Sequence, residues 1–346
     1  MLLIILLASI EVIIRIYELN LDTCDWINND VFQDNKELAS QICKDLGLIE
    51  YDYGDEFHTF TPDQHLSTIN INSYGFRGDE ISKEKPLNTF RIFIVGGSTS
   101  ASLGSSSDDT TISGYLQQYL KEINQNIEVI NAGVGGAFSY EEAKYIQDYL
   151  INFEPDLIIV YDGANDARYR ILDDAAPHKN DYGLGPLKLS EISIYYHTPF
   201  VLYYEFLKPT FFEVLNVDNE ISEKLAKKWK DRWHNVCEFG KLHDFKTIIV
   251  IQPMLFTGNK ILTVDESKIE DYTGNKFQTK KIIEQIIDES KHLEKECTGV
   301  YDFTDTFDMI KKPIFFDDVH ITDFGNEIVS KKLYKEILPI INEIQN

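Results

Sequence analysis

Phe90-Arg91-Ile92-Phe93-Ile94-Val95-Gly96-Gly97-Ser98-Thr99 is the stretch whose reading decides the fold. Its apolar residues follow one another instead of alternating with polar ones. A strand buried on both faces has that pattern, as in a parallel sheet covered by helices. Gly96-Gly97 closes the run with a backbone that can turn sharply and approach a ligand, and Ser98 is lifted to the sheet edge. Similar short runs recur at Ile127–Asn131 (IEVIN), Asp156–Tyr161 (DLIIVY), Lys246–Ile251 (KTIIVI) and Val300–Phe303 (VYDF). Amphipathic helical patterns lie between and after them, at about 112–125, 140–152, 222–243, 277–296 and 323–344. Pro155 stands just before the third run and Pro253 just after the fourth, where punctuation belongs. The alternation predicts an α/β fold, a three-layer α/β/α sandwich on a five-stranded parallel sheet joined by right-handed crossovers. In such sheets the chemistry lies beyond the carboxyl ends of the strands.

The first three of those ends carry groups with chemical capacity. Ser98 follows the first strand and is a nucleophile if a base is near. Asn131-Ala132-Gly133-Val134-Gly135-Gly136 follows the second, and its glycines expose backbone N–H groups that can stabilise an oxyanion. Taken alone it is a turn needing positive φ. Asp162-Gly163-Ala164-Asn165-Asp166 follows the third. The Asn165 amide is an oxyanion donor in one reading, and an Asx turn or helix cap in the other. Near the C-terminus comes Asp317-Asp318-Val319-His320, just before the last helix. An Asp three residues before a His can hold its imidazole in the required tautomer, and spacing favours Asp317 over Asp318. The competing readings are a surface loop or a metal site on Asp317, Asp318 and His320, which no second His or Cys cluster supports. Neither G-x-G-x-x-G nor G-x-x-x-x-G-K-[ST] is present, so nucleotide binding lacks its signature and no cofactor is expected.

Ser, Gly, Asn and His thus occupy successive strand ends of one sheet, in that order. This joint pattern resembles the SGNH/GDSL hydrolase family. The likeness is carried by Gly96-Gly97-Ser98-Thr99, Asn131 to Gly136, Gly163-Ala164-Asn165-Asp166 and Asp317-Asp318-Val319-His320, across about residues 90 to 344. The upstream Asn72-Ser73-Tyr74-Gly75-Phe76-Arg77-Gly78 also looks like a segment of bacterial and archaeal members that carry an N-terminal anchor. The resemblance implies a flavodoxin-like sheet order and cleavage of carboxylic esters through an acyl-enzyme. It implies Ser98 as nucleophile, His320 as general base and then acid, and Asp317 as the residue orienting His320. The oxyanion hole would be the N–H of Ser98, the N–H of Gly136 (Gly135 as fallback) and the side chain of Asn165. The family's Gly-Asp-Ser-Leu block reads Gly-Gly-Ser-Thr here, which alters the contacts around the nucleophile turn but removes no member of the triad.

Outside these blocks, composition bounds the partners. The 346 residues carry 33 Lys plus Arg against 57 Asp plus Glu, a formal charge of −24. Phosphate backbones would repel such a chain, so nucleic acid is not an expected partner. The opening MLLIILLASIEVIIRIYELN is nearly all apolar to Ile10 but interrupted by Glu11 and Arg15. It reads as a hydrophobic helix, either a membrane anchor over residues 1–20 or an amphipathic helix packed on the domain. With the anchor, the acidic stretch after it places the catalytic portion outside the cytoplasm. Residues 21–88 read as an irregular lead-in, and 89–346 as the catalytic domain with an aromatic-rich insert at 168–220. The insert reads as a wall of the substrate cleft, a contact with the membrane interface, or a plain aromatic core. Cys24, Cys43, Cys237 and Cys297 include no C-x-x-C pair. They read either as disulfides, with Cys24 and Cys43 a local pair, or as free thiols in a reducing compartment. The function expected from all this is a serine esterase on a small-molecule or glycan ester. The alternatives are an acyltransferase using the same triad and a non-catalytic envelope binding protein.

Overall fold

The computed structural model describes residues 24–32, 35–169, 218–269 and 276–345. The chain divides into two compact units, 1–25 with 177–216 and 26–176 with 217–346. The first lies almost wholly outside the described residues, and with it the apolar N-terminal stretch and most of the aromatic insert. Among the described residues no helix is long and apolar enough to cross a membrane.

The second unit is built on five parallel strands: β1 Phe90–Gly96, β2 Ile127–Gly133, β3 Leu157–Asp162, β4 Lys246–Ile251 and β5 Gly299–Asp302. Their order is β2-β1-β3-β4-β5, the doubly wound order in which the chain reverses direction at β1 and β3. Every residue of β1 and β3 is buried, which is why both read as unbroken apolar runs. Alternate side chains serve opposite layers. Phe93, Val95, Ile158, Val160, Ile249 and Ile251 face one cluster, with Ile146 of α3 (Ser139–Asp148), Trp229 and Trp233 of α5 (Asn219–Leu242) and Ile282 of α6 (Lys276–Ser290). Ile92, Ile94, Ile159, Tyr161, Ile248 and Val250 face the other, against Leu116 of α2 (Ile112–Lys121) and Leu333 of α7 (Asp323–Gln345). Arg91, the one charged residue of β1, is fully buried and paired. Its Nε donates to Glu128 at 2.9 Å and its Nη1 to the Phe153 carbonyl at 2.9 Å.

The predicted strands and helices fall where the apolar periodicity put them, and the sandwich is the one expected. The stretch expected as irregular differs. It holds helix α1 (Lys36–Leu48), capped by the Asn35 side chain, and an antiparallel pair in which Tyr51–Tyr53 faces His58–Phe60. The strands of that pair span three residues each, too few for a periodic signal in sequence. Ala39 and Ile42 of α1 pack with Phe32 and Phe316, while Phe60 packs with Ile71, Ala101 and Leu103 beneath the turn that carries Ser98. No cysteine is free. Cys237 on α5 is bonded to Cys297, just before β5, closing a loop of 60 residues. A cross-link of that span is worth about 4 kcal/mol in the chain-entropy account.

Candidate active site

Ser98 stands one residue beyond the Gly96-Gly97 turn at the carboxyl end of β1, next to the point where the sheet order reverses. The glycine before it is dictated by crowding. A Cβ on Gly97 would lie 2.5 Å from Nδ2 of Asn165 and 3.1 Å from the Ala137 carbonyl. Only a bare backbone lets the Ser98 turn, the loop after β2 and the start of α4 (Ala164–Tyr169) meet so closely. Arg77, from the upstream Asn72–Gly78 segment, supports the same turn from beneath. It is buried, and its Nη1 donates to the carbonyls of Ala101 and Ser102 at 2.9 and 2.8 Å.

His320 reaches the turn from the loop before α7. Its Nε2 lies 2.6 Å from Ser98 Oγ and its Nδ1 lies 2.6 Å from Asp317 Oδ2. The other Asp317 oxygen accepts the backbone N–H groups of Val319 at 2.9 Å and His320 at 2.6 Å. Burial opposes ionisation of Asp317. The charge of His320 and these hydrogen bonds overcome it and hold the carboxyl well below the usual carboxylate range. An ionised Asp317 can only accept, so His320 carries its proton on Nδ1 and Nε2 is left to accept from the serine hydroxyl. The Phe316 ring stacks on the imidazole, centroids 5.6 Å apart and planes 13° off parallel.

The neighbouring Asp318 turns the opposite way, into a buried pair with Arg168 at 3.1 Å. Asp317, Asp318 and His320 therefore do not converge on a common point. Among the described residues no group of three or more His, Cys, Asp and Glu side chains is arranged to hold a metal ion.

Two further predicted residues close the site. Asn165 sits in the first turn of α4, and its Nδ2 donates to the Ala137 carbonyl at 2.6 Å, leaving one amide hydrogen uncommitted among the described residues. Gly136 has φ +82, a left-handed conformation, and a Cβ there would meet nothing within 4 Å. The backbone N–H groups of Ser98 and Gly136 have no hydrogen-bond partner among the described residues. The Gly135 carbonyl, by contrast, is committed to His58 at 2.8 Å. The loop is pinned again at its far end, where Asp166 accepts Ser139 N and Oγ at 2.9 and 2.6 Å and pairs with Arg232 at 3.1 Å. Such an arrangement can pass a proton from Ser98 to His320 and offer hydrogen-bond donors to a negative oxygen formed beside Ser98.

Asp166 and Arg232 were not legible as a pair in the sequence, nor was the contact of His58. The first signal could have been the Asp that directly follows Asn165. The second has none, because His58 and Gly135 lie 77 positions apart.

No protein-family model matches this chain, and no curated protein matches it. Solved structures do resemble it. The acetyl xylan esterase AlAXEase is 15% identical, with 72% of this chain and 100% of that one covered at a TM-score of 0.43. A putative lipolytic protein of the G-D-S-L family from Desulfitobacterium hafniense DCB-2 is 11% identical, with 71% and 99% covered at 0.42. A catalytic mutant of Axe2, an acetylxylan esterase from Geobacillus stearothermophilus, is 13% identical, with 73% and 96% covered at 0.44.

Proposed function

We propose that this protein is a serine esterase that cleaves carboxylic esters through an acyl-enzyme. The observation that carries the reading is the unbroken chain Ser98 Oγ, His320 Nε2, His320 Nδ1, Asp317 Oδ2, with 2.6 Å at each contact. In this reading His320 takes the hydroxyl proton as Ser98 attacks the ester carbonyl. The developing oxyanion is held by the N–H groups of Ser98 and Gly136 and by the free amide hydrogen of Asn165. His320 then returns the proton to the leaving alcohol, and water repeats the sequence in reverse to release the acid. Asp317 stays ionised throughout and stabilises the imidazolium. O-acyl groups on carbohydrates are the substrate class we favour, with the site facing outside the cytoplasm. Disulfide bonding of all four cysteines supports that side of the membrane, since such bonds persist in oxidising compartments.

Hydrolysis of p-nitrophenyl acetate by the full chain, beside its Ser98→Ala variant, tests the reading. Turnover should fall by a factor on the order of 10³ or more in the variant. Equal turnover in the two proteins would exclude Ser98 as nucleophile and with it the esterase.

A further inference from the structure

His58 belongs to the hairpin ahead of the catalytic domain and touches no atom of the triad, yet it addresses the oxyanion loop at one defined point. Its Nε2 lies 2.8 Å from the Gly135 carbonyl and its Nδ1 lies 3.0 Å from Glu141 Oε1. Both side chains are buried, at 7% and 2% exposure. The ring is also held in place, stacked on Tyr53 at 5.5 Å and packed on Tyr51 at 5.8 Å.

A carbonyl oxygen only accepts, so Nε2 must carry a hydrogen whichever of Nδ1 and Glu141 holds the second proton. The Gly135 carbonyl and the Gly136 N–H belong to one peptide unit, and no peptide bond among the described residues is cis. Across a planar trans peptide the C=O and N–H point in opposite directions. A donor that fixes the carbonyl therefore fixes the N–H, on the side away from the hairpin. Glycine at both positions leaves this peptide free to rotate unless something outside the loop holds it.

We infer that His58, kept in place by Glu141, is a positioning residue for catalysis, setting the Gly135–Gly136 peptide so that the Gly136 N–H is aimed at the oxyanion. The inference rests on the esterase reading and gives the N-terminal hairpin a part in the chemistry. It makes the rate of forming a tetrahedral centre at Ser98 depend on a hydrogen at the Nε2 position of residue 58.

Two substitutions in the full chain separate that hydrogen from mere packing. His58→Gln keeps an amide N–H near the Nε2 position, whereas His58→Asn keeps one only near Nδ1. Each variant is compared with the parent in kcat and KM on p-nitrophenyl acetate. Each is also compared in its rate of labelling by a fluorophosphonate, followed by intact mass, and in its thermal unfolding midpoint. In labelling, the Ser98 Oγ–P bond forms, the P–F bond breaks, fluoride leaves and the hydroxyl proton passes to His320, so the step needs the oxyanion donors but no turnover.

His58→Asn should lose about tenfold or more in both kcat and labelling rate with KM within about twofold, while His58→Gln stays within about threefold of the parent. Parent-like rates in both variants would overturn the inference. Equal losses in both, matched by equal falls in the unfolding midpoint, would also overturn it and make the ring a packing element. A parent that is not labelled at Ser98 at all defeats the esterase reading itself, and the inference falls with it. A parent that is labelled but does not hydrolyse the acetate leaves the labelling comparison to decide.

Discussion

Two sets of carboxylates flank the Ser98 turn, one part-exposed and one fully buried, and they behave in opposite ways. In the loop before α7, Asp317 is held ionised by an imidazole and two backbone N–H groups that overcome its burial. On α3, at the end of β3 and on α4 lie Glu142, Asp162 and Asp166, all buried, with Arg232 as the cation near the two aspartates. Burial and then the charge of Asp166 push Asp162 up to about 8, although it accepts a hydrogen bond from Trp229 at 2.8 Å. Glu142, both of whose carboxyl oxygens have no hydrogen-bond partner among the described residues, is raised well above the ordinary range by burial and neighbouring carboxylates. Desolvation opposes ionisation in both regions, more completely in the buried cluster, and does not by itself decide the outcome. The supply of donors and the sign of the nearest charge do, as the physics of carboxyl ionisation requires. The loop is built to keep a negative charge available beside His320, whereas in the cluster Asp162 and Glu142 are held back from adding theirs to that of Asp166.

The largest effect should come from breaking the first region. Asp317→Asn removes the charge, and its amide can present an N–H to Nδ1. That would favour the imidazole tautomer with its hydrogen on Nε2, where it blocks acceptance from Ser98. The kcat for p-nitrophenyl acetate should fall about 10³- to 10⁴-fold with the protein still folded. A loss below about tenfold would mean that the ionised carboxylate is not what prepares His320, and the contrast between the two regions would lose its catalytic meaning.

How much of this was legible in sequence follows from how far each contact reaches. Asp317 and His320 are three positions apart on one loop, so their pairing could be read directly. The contact of His320 with Ser98 spans 222 positions and became visible only through the rule that chemistry gathers at the carboxyl ends of parallel strands. The strands themselves were legible because Phe90–Gly96 and Leu157–Asp162 are buried on both faces and must be apolar throughout. The hairpin around His58 was not, since its short strands draw their stability from Phe60 packing against Leu103 and Ala101. The cluster at the end of β3 was hidden for a related reason. Glu142 and Asp162 look like ordinary helix-surface and strand-end residues until the fold buries both, with Asp162 against Trp229.

A smaller effect should follow from neutralising Asp162. Its folded pKa is raised, so between about pH 4 and 8 the folded chain holds a proton that the unfolded chain has released. Stability then falls as pH rises through that window. Asp317 has the opposite sign, its contribution being full above the unfolded carboxyl value and lost as pH falls below it. Asp162→Asn keeps an acceptor for the Trp229 N–H and removes the titration. Its unfolding midpoint should exceed the parent's by on the order of 5 °C at pH 8, with little difference at pH 5. Parallel pH profiles in the two proteins would show that Asp162 is ionised in the folded state and that the two regions do not differ as described.

The smallest effect is expected at Glu142. It lines a narrow gap with His58, Tyr145 and Gly96, and neither of its carboxyl oxygens has a hydrogen-bond partner among the described residues. Burial and the neighbouring carboxylates favour the neutral form of Glu142, and glutamine is a neutral group of nearly the same shape. Glu142→Gln should therefore move the unfolding midpoint by no more than about 2 °C, equally at pH 5 and pH 8, since neither protein changes charge at this site. A rise confined to pH 8 would instead reveal a carboxylate at Glu142 in the folded chain. Its countercharge would then have to come from the His58–Glu141 pair or from Arg232. The cluster would then share its protons with the group that sets the Gly135–Gly136 peptide, joining the two regions electrostatically where burial alone keeps them apart.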